Sequence, residues 1–458
     1  IDEEGEADRT LAYFRDAVYG PSEGSKKFPD HQNYTAWLKK TTLKNIEKEC
    51  KSLGNRMEKT GLVSNFHAIL LKVIAERMPE FIPTALNLSE KGFAEWKDHK
   101  EIVLALINDL AHPFNSQWIF GMHCLLEKNM MSRESVRNGL NNLRRIKINP
   151  QVEKRIYKSI IDPQPNINAR DYLISATIRV LGQPIGIGQG NNPTCQSARG
   201  ISMWSQHAPA KLINMIITAA TQNNLEFRFE GHQIESSMIQ KGLIDKLDYS
   251  LDAVSVVLVP HLDKIYNEMM RIASNRGEDP HKWVNPALYG QWIPVGFASA
   301  YDPLMNAIND FEGFIRVFYA SVHPDYNGGH HMVYPNPVGI FITSAKGDMV
   351  GYHAISLLRV EKDPEGEMQA YFLNPNNEGR QNWGQGIKPS VSGKGEIAGE
   401  SSLPFYQFAA RVYAFHYNRL EVSQHLKKVN KNDIKKVKQL AEESWGKAYQ
   451  WIEFKKQW

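Results

Sequence analysis

The sequence predicts an α+β protein, and three observations predict it. The first 160 or so residues carry helical periodicity and no strand-like alternation. Residues 338–374 carry two-residue alternation, broken by turn signals at 345–348 (Ala-Lys-Gly-Asp) and 363–367 (Asp-Pro-Glu-Gly-Glu). Between these regions a glycine-rich loop runs into a helix. Helices first and antiparallel strands later is the α+β order, not the alternating order of a parallel α/β sheet.

A chain of 458 residues has room for two or three domains at about 150 residues each. Its 42% apolar and 23% charged content excludes long disorder. Three cysteines, Cys50, Cys124 and Cys195, are too few and too far apart for a disulfide scaffold or a paired-cysteine zinc module. Their odd number leaves at least one thiol unpaired. The net charge is +4, and residues 421–458 carry all of it, with nine lysines against five acidic residues. The rest is neutral, so the broad basic footprint of a general nucleic-acid-binding protein is missing and no nucleic acid is expected. No apolar run reaches the roughly 18 residues of a membrane span. The acidic residues 1–8 do not read as a signal peptide, and no compartment is assigned.

The elements follow in order. Residues 42–59 are charged and free of proline. Residues 63–77 place Phe66, Ile69, Leu70, Val73 and Ile74 at helical spacing and stop before Pro79. Residues 98–111 do the same with Ile102, Ile107 and Leu110 before Pro113, and 118–128 and 134–146 continue the pattern. This gives an all-α domain over 1–165, with Pro163, Pro165 and Asn166 as its boundary. A second domain, 166–424, opens with a helical or mixed stretch at 169–181 and the loop 182–190. Helices at 194–207 and 210–223 come next, and 263–276 is the clearest helix of a mixed region, 224–320. Strands are expected at 338–344, 349–360 and 368–374, a loop at 380–400, and a strand or helix at 403–417. Residues 425–458 read as a basic helical tail, with Val429, Ile434, Val437, Leu440 and Ala441 turned inward.

Cys195 follows Thr194, a candidate N-cap, so it falls in the first turn of its helix. There the unpaired N–H groups and the helix dipole favour a thiolate. A thiolate nucleophile needs a base, and the base needs an orienting group. His353 lies mid-strand with Met349, Gly351, Ile355 and Leu357 on its face, and Asn374 ends the next strand. A symmetric hairpin centred near 364.5 sets 353 opposite 376, with Asn374 two residues away on the same face. Such diagonal neighbours have Cα atoms about 7–8 Å apart. Taken singly, each residue also reads plainly, as a small buried cysteine, one of 15 histidines and a turn asparagine.

Cysteine at a helix start, histidine on a strand and asparagine after the next strand, in that order, resemble the papain-like cysteine peptidase superfamily. Gln189 stands six residues before Cys195, where that superfamily carries its oxyanion glutamine. His353-Ala354 is similar to the histidine motif, and Asn374-Pro375 resembles the calpain branch. Trp383-Gly384-Gln385-Gly386 resembles the Trp-Gly that follows the asparagine in papains, although Trp383 comes nine residues after Asn374. Gln196 replaces the tryptophan that commonly follows the cysteine. The resemblance is confined to about 183–386. It implies a papain-like catalytic domain, a helix carrying the nucleophile packed against an antiparallel sheet, preceded by the all-α domain. It implies catalytic Cys195, His353 and Asn374, an oxyanion hole with Gln189, and neither metal nor cofactor. The implied activity is that of a thiol hydrolase, a cysteine peptidase or amidase working through an acyl-enzyme thioester on a protein or peptide, and the chain reads as a secreted effector or toxin. The same triad serves transglutaminases, deamidases and acyltransferases. A non-catalytic interaction protein of this fold, binding a partner through the helical domain or the basic tail, is the alternative from another class.

Two further signals carry less. His323, His330, His331 and Asp325 could suggest a metal site, but their Gly328-Gly329 loop reads better as polar surface. Residues 186–190 match neither the dinucleotide nor the Walker pattern. Cys50 and Cys124, in helical segments, are expected to be inert.

Overall fold

The computed structural model describes residues 3–329, 332, 334–376 and 381–458, with side chains from residue 11 onward. The class is α+β, as expected. The chain forms two compact units. One comprises residues 1–184, 205–223 and 252–258; the other comprises 185–204, 224–251 and 259–458.

The first unit is built from helices whose starts and stops follow local chemistry. Helix Leu43–Thr60 begins where the Thr42 side chain accepts from Asn45 N, and ends at Gly61 in the left-handed region (φ +68°). It buries Ile46, Cys50, Leu53 and Met57, one stripe at three- and four-residue spacing. Helix Asn65–Arg77 is capped by Ser64, and helix Ala169–Gly182 by Asn168. The last of these is buried almost all round and packs on helix Trp118–Glu127. The approach is close enough that a Cβ on Gly182 would stand 2.5 Å from the Gly121 carbonyl.

This packing moves the expected boundary at residue 165. Helix 169–182 belongs to the helical unit, and so does Pro209–Gln222, which packs on Glu134–Leu143 and whose Ala220 carbonyl accepts from Asn149 N at 2.9 Å. Pro163 and Pro165 turn the chain without ending the unit. The helix expected at 263–276 is longer and earlier, Ala253–Ile272, with Pro260 inside it. Its β-branched start, Val254 to Val259, read as ambiguous because propensity yields to packing, and these residues are buried.

The second unit centres on a six-stranded antiparallel sheet. Its strands are β1 (Gly296–Ser299), β2 (Asn336–Thr343), β3 (Met349–Lys362), β4 (Met368–Leu373), β5 (Ser401–Pro404) and β6 (Val412–Tyr417). The spatial order is β1-β6-β2-β3-β4-β5. The expected three-strand meander is the β2-β3-β4 part. The stretch 403–417, read as strand or helix, is both, since the short helix Phe405–Ala409 separates β5 from β6. Helix Phe311–Val322 supplies Phe314 and Phe318, which meet Phe415 of β6 at ring distances of 5.3 and 5.0 Å.

The basic tail is not a separate segment. Helix Lys431–Glu442 turns Ile434, Val437 and Ala441 into the same core, as its pattern predicts, and leaves Lys431, Lys435 and Lys436 exposed. Trp445 is fully buried, stacks on Phe341 of β2 at 3.9 Å and donates to the Ala410 carbonyl at 2.7 Å. Strand Gln450–Ile452 then pairs in parallel with Ala307–Asn309. No described helix is long and apolar enough to cross a membrane.

Candidate active site

Cys195 is the first residue of helix Cys195–His207. Ala198, Ile201 and Trp204 are buried and fix which face of that helix turns inward. The Thr194 carbonyl accepts from Ser197 N and Ala198 N, both at 3.1 Å, so the helix starts where expected. The Thr194 hydroxyl makes no cap: it is buried without a hydrogen-bond partner among the described residues. The preceding loop is pinned at two points. Gln189 N donates to the Pro375 carbonyl at 2.9 Å, which ties the loop to the residue after Asn374. Asn192 Nδ2 donates to the Asp248 carbonyl at 3.1 Å, and Asp248 N donates to Asn192 Oδ1 at 2.8 Å.

His353 sits on β3 opposite Ile340 of β2. Its Nε2 lies 2.7 Å from Asn374 Oδ1, and both residues are buried. The register explains the meeting. β3 and β4 pair Ser356 with Leu373 and Leu357 with Phe372, after a bulge that skips Leu358. Continued three residues, this alignment sets 353 opposite 376, the symmetric pairing expected from the turn. The strand ends at Leu373, and Asn374 reaches back diagonally.

Gln381, which sequence reasoning did not assign, and through it Trp383 hold Asn374. Its Nδ2 donates to Gln381 Oε1 at 2.8 Å, and Trp383 Nε1 donates to the same oxygen at 3.0 Å. Trp383 is buried beside Phe372, and its carbonyl accepts from Arg411 Nη2 at 2.7 Å and from the Thr343 hydroxyl. His353, Asn374, Asn376, Gln381 and Trp383 line one cavity of about 280 Å³. The late tryptophan therefore reaches the histidine–asparagine pair despite its spacing. Nothing in the sequence marked Gln381, a polar residue in a loop.

With Nε2 donating to Asn374, the neutral His353 ring keeps Nδ1 as an acceptor. The same ring acts electrostatically on the Cys195 thiol. Burial raises the pKa of that thiol. Its interaction with His353, the Ala354 N–H and the Arg199 charge outweigh burial and hold it below the ordinary value. The other two cysteines go the opposite way: burial pushes Cys50 up to about 12 and raises Cys124. The Cys195 sulfur also lies 3.5 Å from Gln196 Oε1, so glutamine fills the position next to the thiol.

Gln189 departs from the expected arrangement in one respect. Its Nε2 donates to the Asn192 carbonyl at 2.7 Å, inside its own loop, and its Oε1 is buried without a partner among the described residues. One of its two amide hydrogens is thus committed. Of the histidines weighed for a metal, His330 and His331 lie outside the described residues, and His323 stacks on Tyr319 at 5.4 Å. No group of three or more His, Cys, Asp or Glu among the described residues is placed to hold a metal ion. No protein-family model matches this chain, and no curated protein or solved structure shows significant similarity to it.

Proposed function

We propose that this chain is a thiol hydrolase of papain-like fold that cleaves an amide bond in a protein or peptide through Cys195, His353 and Asn374. The observation that carries the reading is the His353–Asn374 contact of 2.7 Å, with His353 among the groups that lower the pKa of a thiol at a helix start.

His353 takes the Cys195 proton, and the thiolate attacks the acyl carbon to form a C–S bond. The oxyanion meets the Cys195 backbone N–H at the helix start, where N–H groups have no intrahelical partner, and the free hydrogen of the Gln189 amide. The C–N bond breaks as the imidazolium passes its proton to the leaving amine. Water then attacks the thioester, His353 takes the water proton, and the carboxylate product leaves as the thiol is restored. Asn374 keeps the ring in the one tautomer and plane that serve both halves.

The test is alkylation with iodoacetamide or an epoxysuccinate near neutral pH. Cys195 is expected to react well ahead of Cys50 and Cys124, and His353→Ala to abolish the advantage. Equal rates at the three thiols, unchanged by that substitution, sink the reading. Incubation of proteins with an amine donor then separates hydrolysis from acyl transfer by product mass. Incorporated amine assigns the triad to a transferase.

A further inference from the structure

Four residues after Cys195, one helical turn along the same face, stands Arg199. Its side chain is 2% exposed. Nε donates to the Tyr289 hydroxyl at 3.1 Å, and Nη1 donates to the carbonyls of Val338 at 3.2 Å and Ile355 at 3.1 Å. Val338 and Ile355 face each other across β2 and β3. The Tyr289 hydroxyl in turn donates to the Gln196 carbonyl at 3.0 Å, which returns the contact to the residue after Cys195.

Among the described residues no carboxylate forms an ion pair with this guanidinium. Burying an unpaired charge is costly, and such groups are usually neutralised or matched. The titratable groups that bear on Arg199 are Tyr266, Tyr289, Tyr413, His416 and Cys195. Burial raises all three phenols and lowers His416 to about 4, so none of the four is charged near neutral pH. Asp279, the carboxylate that bears on Tyr413 and His416, is bonded to His281 at 2.6 Å. Cys195 remains as the group able to supply a negative charge.

The geometry has a second consequence. His353 and Ile355 point the same way from β3, two residues apart. The Arg199–Ile355 bond thus joins helix to strand one turn below the thiol and two residues beyond the imidazole.

We propose that Arg199 is a positioning residue for the reaction: its guanidinium is the buried counter-charge of the Cys195 thiolate and the clamp that holds the cysteine helix against the histidine strand. This rests on the triad reading given above. The test uses the full chain and its Arg199→Met and Arg199→Gln variants. Gln removes the charge but keeps a donor for the carbonyls, so it guards against loss of folding, which circular dichroism checks. Cys195 alkylation by iodoacetamide is followed by mass spectrometry from pH 5 to 9.5. Both variants are expected to lose about tenfold in rate at pH 6, as for a thiol pKa one unit higher, and to return to within about threefold at pH 9.5. A folded variant with the unaltered profile overturns the proposal, and so does a loss equal at every pH. If Cys195 of the unaltered chain titrates as an ordinary thiol, the triad reading falls as well.

Discussion

Asn374 gives its amide Nδ2 to Gln381 Oε1 at 2.8 Å, and this contact decides which end of Asn374 faces His353. The decision starts further out, at Trp383, whose indole can only donate. The indole N–H fixes Gln381 Oε1 as an acceptor, and that acceptor draws Asn374 Nδ2. Asn374 Oδ1 is then left for the ring N–H of His353 and, at 3.1 Å, for Asn376 N. The histidine tautomer is thus inherited from a tryptophan three hydrogen bonds away.

Breaking that inheritance should lower reactivity without unfolding the chain. Gln381→Leu removes the acceptor shared by Asn374 and Trp383 and is expected to lower Cys195 alkylation near pH 7 about tenfold. Asn374→Ala is expected to lower it on the order of 10- to 100-fold. Gln381→Glu keeps an acceptor for both donors and should stay within about threefold. A Gln381→Leu protein as reactive as the unaltered chain would show that Asn374 is oriented by other means.

The three thiols should separate by pH. The Cys195 thiolate is present above its lowered pKa and is lost as pH falls through it, so its alkylation should rise at a pH below that of a free thiol. Cys50, held at about 12, should stay unreactive up to pH 9.5 in the folded chain. In denaturant all three should titrate together. Mass spectrometry of the three peptides reads each rate separately.

Acid should destabilise both units over one window. Burial lowers His67, in the helical unit, and His416, in the sheet unit, from 6.5 to about 4. The unfolded chain takes up these protons near 6.5 and the native chain only near 4, so unfolding free energy falls as pH drops between those values and these two groups add no further slope below. Each contributes on the order of 3 kcal/mol. Urea unfolding at pH 7, 5.5 and 4 measures this, and a midpoint that stays constant across the series would refute it.

The C-terminal helix should prove structural. Trp445→Ala removes a fully buried indole and its bond to Ala410, at a cost of about 3–5 kcal/mol. Lys435→Ala, on the exposed face, should fall within about 0.5 kcal/mol. Removing residues 425–458 should unfold the sheet unit, which circular dichroism and limited proteolysis would detect.

What the sequence made legible was local or governed by a single turn. The helical stretches at 42–59 and 63–77 stand at Leu43–Thr60 and Asn65–Arg77, while the cap expected of the Thr194 hydroxyl does not form. The turn signals place the register of the meander to within one residue, and the bulge at Leu358 supplies the last step that brings Asn374 to His353. Illegible features depend on distant partners. The close approach of Gly121 and Gly182 has no periodic signature, so the helical unit was cut short. Arg199 reads as a polar position on an amphipathic helix, and only strands more than 130 residues downstream show that its guanidinium is buried. Gln381 lies in a loop whose meaning depends on Trp383 and Asn374 together.

The sheet order has a consequence for biosynthesis. β6 is the last of the six strands to be made, yet it lies between β1 and β2, near one edge of the finished sheet. A growing chain exposes Cys195 158 residues before His353 exists and 217 before β6 begins at Val412. At about 5–20 residues per second, the wait for β6 lasts roughly 10–45 seconds. For the first 158 of those residues the thiol has no imidazole, and the second carbonyl that seats Arg199, that of Ile355, is made only two residues later. On the function proposed above, the thiol is therefore silent until its strands assemble: its reactivity is a property of the folded polypeptide, timed by translation itself.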